Sequence, residues 1–465
     1  MKTYIYLLLS ALLLCAAFSC KKDPQGGDQE NPSSQPGYPP ATQVYSIKLS
    51  KTYAIVYSAD YQLTATVDPA DVPVVWSSSD EAVATVDSDG WVHTHSAGSV
   101  IITARAGDKN AICQLVVCFN LSREETANCY VVPKSGMYYF KAAKGNSNEG
   151  MSGVSKAEVL WESFGTATSP KNGDIIQMVA YSDYETVPNN CICFMIPSPL
   201  KEGNAVIAAK DSGGNILWSW HIWVCKDFDP AASAQDYRNY YGTTTYGTVM
   251  DRNLGALSAT PGEVSSLGLF YQWGRKDPFP GFSSFTQNES AKTTISWPSP
   301  VAAGSGGTGT IDYAVQHPTT FLAADMDWYY TTSSIKENTR WQASKGLYDP
   351  CPPGWQVPVG GDDGIWINAS GVRFFDHAFD FAKNGMDLSD KFHTTGACWY
   401  PAAGYKSSYG VMYNVGQYGY YWTATPVSSD SYRVYYLSLQ GENGKVTFNE
   451  GFTSRAAALS VRCVK

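Results

Sequence analysis

Between residues 44 and 118 the chain reads VYSIKLS, YQLTATVDP, VPVVWSSSD, AVATVDSDGWVHT, SVIITARAG and AICQLVV, short apolar stretches interrupted every few residues by turn formers. Alternation of apolar and polar positions puts side chains on the two faces of a strand, and runs this short cannot form a helix long enough to bury a stripe. Six or seven such strands in succession predict a β-sandwich. Asp89-Gly90 marks a tight hairpin turn, with Val86 before it and Trp91 and Val92 after it.

The pattern continues beyond this unit. Residues 119–226 read as a second β-sandwich, running from NLSREETANCYVVPKSGMYYF to GNAVIAAKDSGGNILWSWHIWVC. Ser212-Gly213-Gly214-Asn215 is a turn between two strands, and alternation along Ile216 to Val224 puts Trp218, Trp220 and Ile222 on one face, read as packed core. Residues 227–465 form a third unit, in which Phe374 to Asn384 reads as a helix.

At the start, Lys2 precedes an apolar run from Tyr4 to Phe18 that ends in Ala17-Phe18-Ser19-Cys20. The run is shorter than the roughly 20 residues a bilayer needs, so residues 1–19 read as an export signal. A cysteine directly after small residues resembles the lipobox of bacterial lipoproteins. The resemblance implies that Cys20 is acylated and becomes the first mature residue, a membrane anchor made stable by several acyl chains. Residues 20–43, rich in Pro, Gly, Ser and Gln, have almost nothing to bury and read as a disordered tether.

Composition then narrows the function classes. The net charge of -9 comes without a Lys/Arg cluster, which argues against nucleic acid as a partner, because phosphate contacts supply most of that affinity. Charged residues are sparse at 16% and aromatics abundant at 14%, with 31 tyrosines, a mix suited to extracellular β domains and contact surfaces. After Cys20 nine cysteines remain, at 113, 118, 129, 191, 193, 225, 351, 398 and 463, an odd number that cannot all pair within one chain. Cys191 and Cys193, two apart on a strand, point the same way and are awkward to bridge to each other; no zinc-ligand spacing accompanies them.

No HExxH, GxSxG or P-loop pattern occurs, and His93-Thr94-His95 shows no Cys or carboxylate partner in the sequence. Asp362-Asp363 among Gly360, Gly361 and Gly364 reads as an acidic turn rather than a Ca²⁺ site. The expectation is therefore a protein that is not an enzyme, with no cofactor and no metal.

Three resemblances organise these units. Val67-Asp68-Pro69, Val75-Trp76-Ser77-Ser78-Ser79-Asp80, Ala84-Thr85-Val86-Asp87 and Ala97-Gly98 make residues 44–118 similar to a bacterial Ig-like domain of group 2, which implies a stalk or spacer. Glu124-Glu125-Thr126-Ala127-Asn128-Cys129-Tyr130 resembles a block that precedes the next domain in surface lipoproteins of the Bacteroidota. Residues 227–465 carry Val249-Met250-Asp251-Arg252-Asn253-Leu254-Gly255-Ala256, then Gly268-Leu269-Phe270-Tyr271-Gln272-Trp273-Gly274-Arg275-Lys276-Asp277, then Tyr348-Asp349-Pro350-Cys351-Pro352-Pro353-Gly354-Trp355. Tyr400-Pro401-Ala402-Ala403-Gly404-Tyr405, Gly419-Tyr420-Tyr421-Trp422-Thr423-Ala424-Thr425 and Ser460-Val461-Arg462-Cys463-Val464 follow. In this order the motifs resemble the FISUMP family, the Fibrobacter major paralogous domain, which is similar in fold to C-type lectins.

The fold class expected is thus mainly β and multidomain, two Ig-like β-sandwiches followed by an α+β C-type-lectin-like domain. A disulfide between Cys351 and Cys463 would staple the later half of the last domain, contributing ~4 to 5 kcal/mol in the chain-entropy model. Trp355, Trp399 and Trp422 would fill the frame.

The loops between are rich in Tyr, Ser, Asn and Arg, the residue types of adaptable binding surfaces. The candidate ligand-binding residues are Tyr409, Tyr413, Asn414, Tyr418, Ser429, Asp430, Tyr432, Arg433, Tyr435, Asn443, Asn449 and Phe452. In related lectin-fold lipoproteins this stretch is diversified by retroelements, which the resemblance extends here as an expectation. The function expected is a surface lipoprotein of the outer membrane that binds an external glycan or protein ligand. The alternatives are a subunit or tip of a surface filament, or a sulfatase-modifier-like or glycan-acting enzyme using Cys398.

Overall fold

The computed structural model describes residues 43–57, 59–182, 188–332, 337–428, 432–450 and 454–465, without the side chains of residues 449 and 450. The export signal, Cys20 and the tether up to residue 42 lie outside the described residues, as do Ser429, Asp430 and Phe452. The chain is mainly β, with short helices confined to a few turns.

In the first sandwich, alternation sets the core. Along Gly98–Ala106 the residues Val100, Ile102, Ala104 and Ala106 are buried, and along Lys109–Asn120 so are Cys113, Leu115 and Val117. These face Leu63, Val83 and Val92 from the second sheet, with Trp76 packed alongside. The turn after Ala84–Val86 closes because Asp87 accepts from the backbone N–H groups of Asp89 and Trp91. Gly90 sits at φ +80°, and a Cβ there would meet the Leu63 carbonyl oxygen at 2.3 Å, so only glycine fits.

His93 and His95 do have partners. His93 Nδ1 lies 2.6 Å from Asp60 Oδ1 across the strand pair, and His95 Nε2 lies 2.9 Å from Thr85 Oγ1. The carboxylate was invisible in the sequence because Asp60 is 33 positions away and only strand register brings it opposite.

The strand Lys109–Asn120 does not stop at residue 118, where the sequence suggested a boundary. It pairs with Gly98–Ala106 and Tyr53–Val56 over most of its length, and its last residues pair in parallel with Gly136–Lys141. One seven-stranded sheet therefore runs from the first sandwich into the second. Paired from Lys109 to Asn120, the shared strand leaves no unpaired linker between the two sandwiches.

The second sandwich closes the sheet of Gly136–Lys141, Cys191–Ile196 and Met178–Ser182 against a second sheet ordered Cys129–Val132, Ile216–Val224, Gly203–Lys210, Lys156–Ser163. Trp218, Trp220 and Ile222 lie in its core, as alternation predicts. The opposite face of the same strand is buried too. Trp223 and, just beyond the strand, Cys225 join Cys129, Trp161 and Val206 in a second cluster with Trp273, Trp341, Trp355, Trp422 and the Cys351–Cys463 pair. A strand buried on both faces loses its polar alternation, which is why WSWHIWVC reads as nearly continuous apolar sequence.

The block around Asn128 explains itself at this junction. Asn128 Nδ2 donates to the carbonyls of Leu347 and Asp349, both at 2.8 Å, while its Oδ1 accepts from Trp218 Nε1 at 2.9 Å. Lys276 Nζ reaches Ser219 O at 3.0 Å and Asp277 Oδ1 at 2.7 Å, over the Trp218 ring. The second sandwich and the C-terminal region are thus joined through buried, hydrogen-bonded contacts.

In the C-terminal region one sheet is ordered Phe374–Asp376, Lys445–Glu450, Val434–Gln440, Tyr418–Pro426, and a second joins Tyr271–Gln272, Ala458–Leu459, Tyr405–Lys406 and Met412–Tyr413. The helix expected from Phe374 to Asn384 is absent: Phe374–Asp376 is a strand paired to Thr447, Val446 and Lys445, and residues 381–384 form a turn. Exposed Phe374 and Phe381 gave the segment an apolar look without a buried stripe. The helices lie nearby instead, at Ile365–Ser370 and Ser389–Phe392.

Cys351 and Cys463 form a disulfide with a Cα–Cα distance of 6.0 Å. The segment after the last strand, Ala458–Leu459, is also held by backbone bonds from Met250 N to Cys463 O and from Leu254 N to Val461 O. Trp355, Trp399 and Trp422 are all buried.

Candidate ligand-binding surface

Most of the motif residues prove to be scaffold. Arg462 is buried and its guanidinium donates to Asn253 Oδ1 at 2.9 Å while lying over the Tyr400 ring. Gln272 Nε2 donates to Leu322 O at 2.8 Å, Trp273 Nε1 to Thr423 O at 2.9 Å and Trp422 Nε1 to Tyr271 O at 2.8 Å. Asp349 accepts from Cys351 N and Val357 N, at 2.8 and 2.9 Å, and burial raises its carboxyl above the ordinary value. These buried groups are satisfied within the frame itself, Asp349 by loop N–H groups and the others by strand carbonyls or a side chain.

What the frame presents is a ladder of tyrosines. Along Tyr418–Pro426 the even positions Tyr418 and Tyr420 share one face, while Tyr421 points into the core beneath. Tyr420 stacks on Tyr418 with ring centroids 6.0 Å apart and meets Tyr436 of the neighbouring strand at 6.1 Å. On its other side Tyr405 makes an edge contact at 5.3 Å and in turn packs against Tyr413 at 5.8 Å. Tyr413 is exposed; Tyr405, Tyr418, Tyr420 and Tyr436 are half-buried. Tyr418 Oη donates to Glu442 Oε2 at 2.9 Å, and Asn414 beside the ladder adopts φ +63°, placing it at a turn.

Every shifted hydroxyl in the ladder is shifted upward. Burial pushes Tyr420 up to about 12 and raises Tyr405, while the bond to Glu442 raises Tyr418. They stay protonated at neutral pH, so the surface offers uncharged O–H donors beside flat apolar rings. That combination is chemically suited to stacking and hydrogen bonding.

The sequence-derived residues divide accordingly. Tyr413 and Tyr418 belong to the ladder, with Asn414 at the turn beside it. Tyr409 is exposed at the tip of the hairpin joining Tyr405–Lys406 to Met412–Tyr413, with its hydroxyl on Asp325. Asn443 is exposed in the turn before Lys445–Glu450, and Arg433 is exposed just ahead of Val434–Gln440, beside half-buried Tyr432. Asn449 stands opposite Tyr436 in register.

Tyr435 is separated from the others. It points to the opposite face of its strand, where its ring packs against Gly361, and Thr423 Oγ1 donates to its carbonyl at 2.7 Å. Period-two alternation moves adjacent residues to opposite faces, and the neighbour that reaches the ladder is Tyr436. Tyr405, Tyr420 and Tyr436 join the ladder although the sequence places Tyr405 and Tyr420 in motifs that read as frame. The signal was present in Tyr418, Tyr420 and Trp422 at spacing two.

Two thiol sites bear on chemistry. Cys129 Sγ lies 3.3 Å from His221 Nδ1, and His221 Nε2 lies 2.8 Å from Asn204 Oδ1, the residue set of a thiol nucleophile, base and orienter. Asn204 Nδ2 donates to Gly255 O, so its Oδ1 accepts from Nε2–H and leaves Nδ1 as an acceptor between the Cys129 thiol and the Tyr271 hydroxyl, 3.4 Å away. All three residues are buried. Burial raises the Cys129 thiol and depresses His221 to about 3, the reverse of a thiolate–imidazolium pair. Cys398, the thiol of the enzyme alternative, is buried against Tyr237 Oη at 2.9 Å and pushed up to about 12. Asp362, of the acidic turn, pairs with Arg373.

Residues 43–115 match the bacterial Ig-like domain (group 2) family. No curated protein matches the chain. Domains 5-6 of the S-layer protein SbsC share 15% identity, cover 40% of this chain and 99% of their own, and overlay with a TM-score of 0.15. The longer S-layer protein rSbsC(31-844) shares 18% identity over 42% of this chain and 30% of its own, with a TM-score of 0.16. Human protocadherin-24 EC1-2 shares 11% over 40% and 100%, also at 0.16. At such TM-scores the overlays carry no argument about this chain. The match over residues 43–115 coincides with the first sandwich, which is similar to bacterial Ig-like domains of group 2 in sequence and whose strands fall in the long shared sheet, a three-stranded sheet and the pair Ser46–Leu49 with Ala65–Asp68.

Proposed function

We propose that the chain is a cell-surface lipoprotein, anchored in the outer membrane through Cys20, whose C-terminal region binds an external glycan or protein ligand without making or breaking a bond. The observation that carries this reading is the tyrosine ladder of Tyr413, Tyr405, Tyr420, Tyr418 and Tyr436, contiguous and open at Tyr413. Tyrosine gives large rigid contact area at low entropic cost and concentrates binding energy in a few residues. The Ig-like sandwich and the shared strand after it act as a spacer. The FISUMP-like, C-type-lectin-like character of residues 227–465 remains part of this proposal, on the motifs quoted above.

The test is glycan-array and pull-down binding by the full chain, followed by titration of the ligand found. Tyr413→Ala and Tyr418→Ala should each weaken it about tenfold or more. Ile112→Ser, on the exposed side of the first sandwich, should leave it unchanged. Turnover of a bound glycan that disappears in Cys398→Ala would replace this reading with the enzymatic one, and ordered oligomers without ligand binding would replace it with a filament subunit. Diversification of the C-terminal loops predicts a template repeat matching residues 405–463 beside a reverse transcriptase gene, and absence of that repeat removes this part of the proposal.

A further inference from the structure

The hairpin that carries Tyr405 and Tyr413 has a second face. Lys406 pairs with Met412, one residue along from the Tyr405–Tyr413 pair, and strand alternation turns both away from the ladder. There they line an open cleft of about 570 Å³, walled on its other side by residues 288, 290–293 and 295–297, while Glu289 is bonded to Ser284 Oγ outside the lining. That volume falls within the range of ligand sites.

Charge distinguishes this cleft. The chain has 42 acidic and 33 basic residues, yet the lining contains Lys406 and Lys292 and no carboxylate. Lys406 Nζ lies 5.5 Å from the Phe321 ring centroid and 5.9 Å from that of Phe279, and among the described residues no carboxylate pairs with it. Burial lowers its ammonium to about 8. A half-buried cation resting only on aromatic faces keeps its capacity for an anion. Lys292 is exposed at the same cleft, its backbone fixed by bonds from Lys292 N to Thr166 O and from Ser163 Oγ to Lys292 O.

The rest of the lining suits a sugar. Half-buried Trp297, in the lining, is held by its Nε1 bond to Thr293 Oγ1 at 3.1 Å and by packing on Trp161 at 5.7 Å and Phe279 at 5.9 Å, which fixes its indole. Ser290, Ser296 and Asn288 add hydroxyls and an amide. An aromatic platform for C–H faces, polar groups for hydroxyls and an unpaired ammonium for one negative charge are the complements of a sugar acid. We propose that this cleft binds a carboxylate-bearing saccharide, a hexuronate unit of an acidic glycan, with the carboxylate on Lys406, assisted by Lys292, and the sugar ring on Trp297. The site is separate from the tyrosine ladder and does not rest on it.

Calorimetric titration of the full chain with oligogalacturonate, its methyl ester and dextran sulfate tests the assignment. Oligogalacturonate should bind about tenfold or more tightly than the uncharged ester. Lys406→Met should remove about tenfold and Lys292→Gln about threefold. Affinity should be greatest while Lys406 is charged and fall between about pH 7 and about pH 9, as the ammonium loses its proton. Equal binding of acid and ester, tighter binding of dextran sulfate, or full affinity in both lysine variants would overturn it. Lys292 is exposed, so Lys292→Gln remains informative if Lys406→Met fails to fold. Loss of a ladder ligand in Tyr413→Ala has no bearing on this result, so the two proposals fail separately.

Discussion

In residues 44–117 the interior is Val56, Leu63, Val83, Ala84, Val92, Val100, Ile102, Cys113, Leu115 and Val117, and the described residues include no buried ion pair there. In residues 227–465 the interior also holds Arg275, Lys276, Asp277, Asp327, Arg340, Asp349, Arg455 and Arg462. The first region satisfies its backbone through strand ladders, so its core needs only apolar side chains. The second spends long stretches off any ladder, and buried side chains take over. Lys345 Nζ donates to the carbonyls of Cys351 and Pro352, and Arg275 to those of Thr320 and His317. A region built of loops can present many surfaces, and it does so only by burying the polar groups that hold the loops still.

The contrast can be broken most directly at the disulfide. Closing a loop with a sequence separation of 112 contributes about 4–5 kcal/mol in the chain-entropy model, so Cys351→Ala with Cys463→Ala should lower C-terminal stability by up to that amount. The first sandwich, monitored separately by hydrogen exchange, should keep its protection. Equal loss in both regions would show that the shared strand couples them more strongly than their different cores suggest.

Next in size is Asp327→Ala. Asp327 receives Arg340 Nη1 at 2.9 Å and lies 3.5 Å from Arg455, all three buried. Removing the carboxylate strands two buried cations and should cost about 3–5 kcal/mol by denaturant titration. A loss below about 1 kcal/mol would mean that water already reaches the cluster.

Gly90→Ala sharpens the other side of the comparison. It combines positive φ with a Cβ placed against the Leu63 carbonyl, so thermal unfolding of the first sandwich should weaken by about 1–3 kcal/mol. C-terminal ligand binding should be unaffected.

The smallest effect is electrostatic. The hydrogen bond to Asp60 raises His93 above 6.5, so its contribution to stability is complete below the unfolded value and fades as pH rises through the folded one. The group is exposed and the effect screened, so the readout is an NMR titration of the imidazole. In Asp60→Asn the midpoint should move back down.

Legibility followed the same division. The Asp89-Gly90 hairpin and the inward Trp218, Trp220 and Ile222 could be read because period two and turn chemistry are local. Tyr413, Asn414 and Tyr418 could be read as surface because aromatic and polar residues crowd their segment. Tyr435 and Tyr436 differ by one residue, which on a strand is a whole face, and composition alone does not say which of them meets the other tyrosines. The helix at Phe374 to Asn384 failed because its apolar residues are exposed, a property that composition does not reveal.

By itself the sequence determined the β class, the Ig-like first sandwich and the tyrosine-rich character of the C-terminal loops, all consequences of neighbours within a few residues of one another. Tertiary structure alone decided that Lys109–Asn120 would serve two sandwiches, that Asn128 would seal a junction with residues some 220 positions away, and that one short hairpin would turn tyrosines to one side and Lys406 to the other. These outcomes depend on register and on which loop needs a hydrogen-bond partner, quantities set by contacts between distant segments and carried by no local pattern.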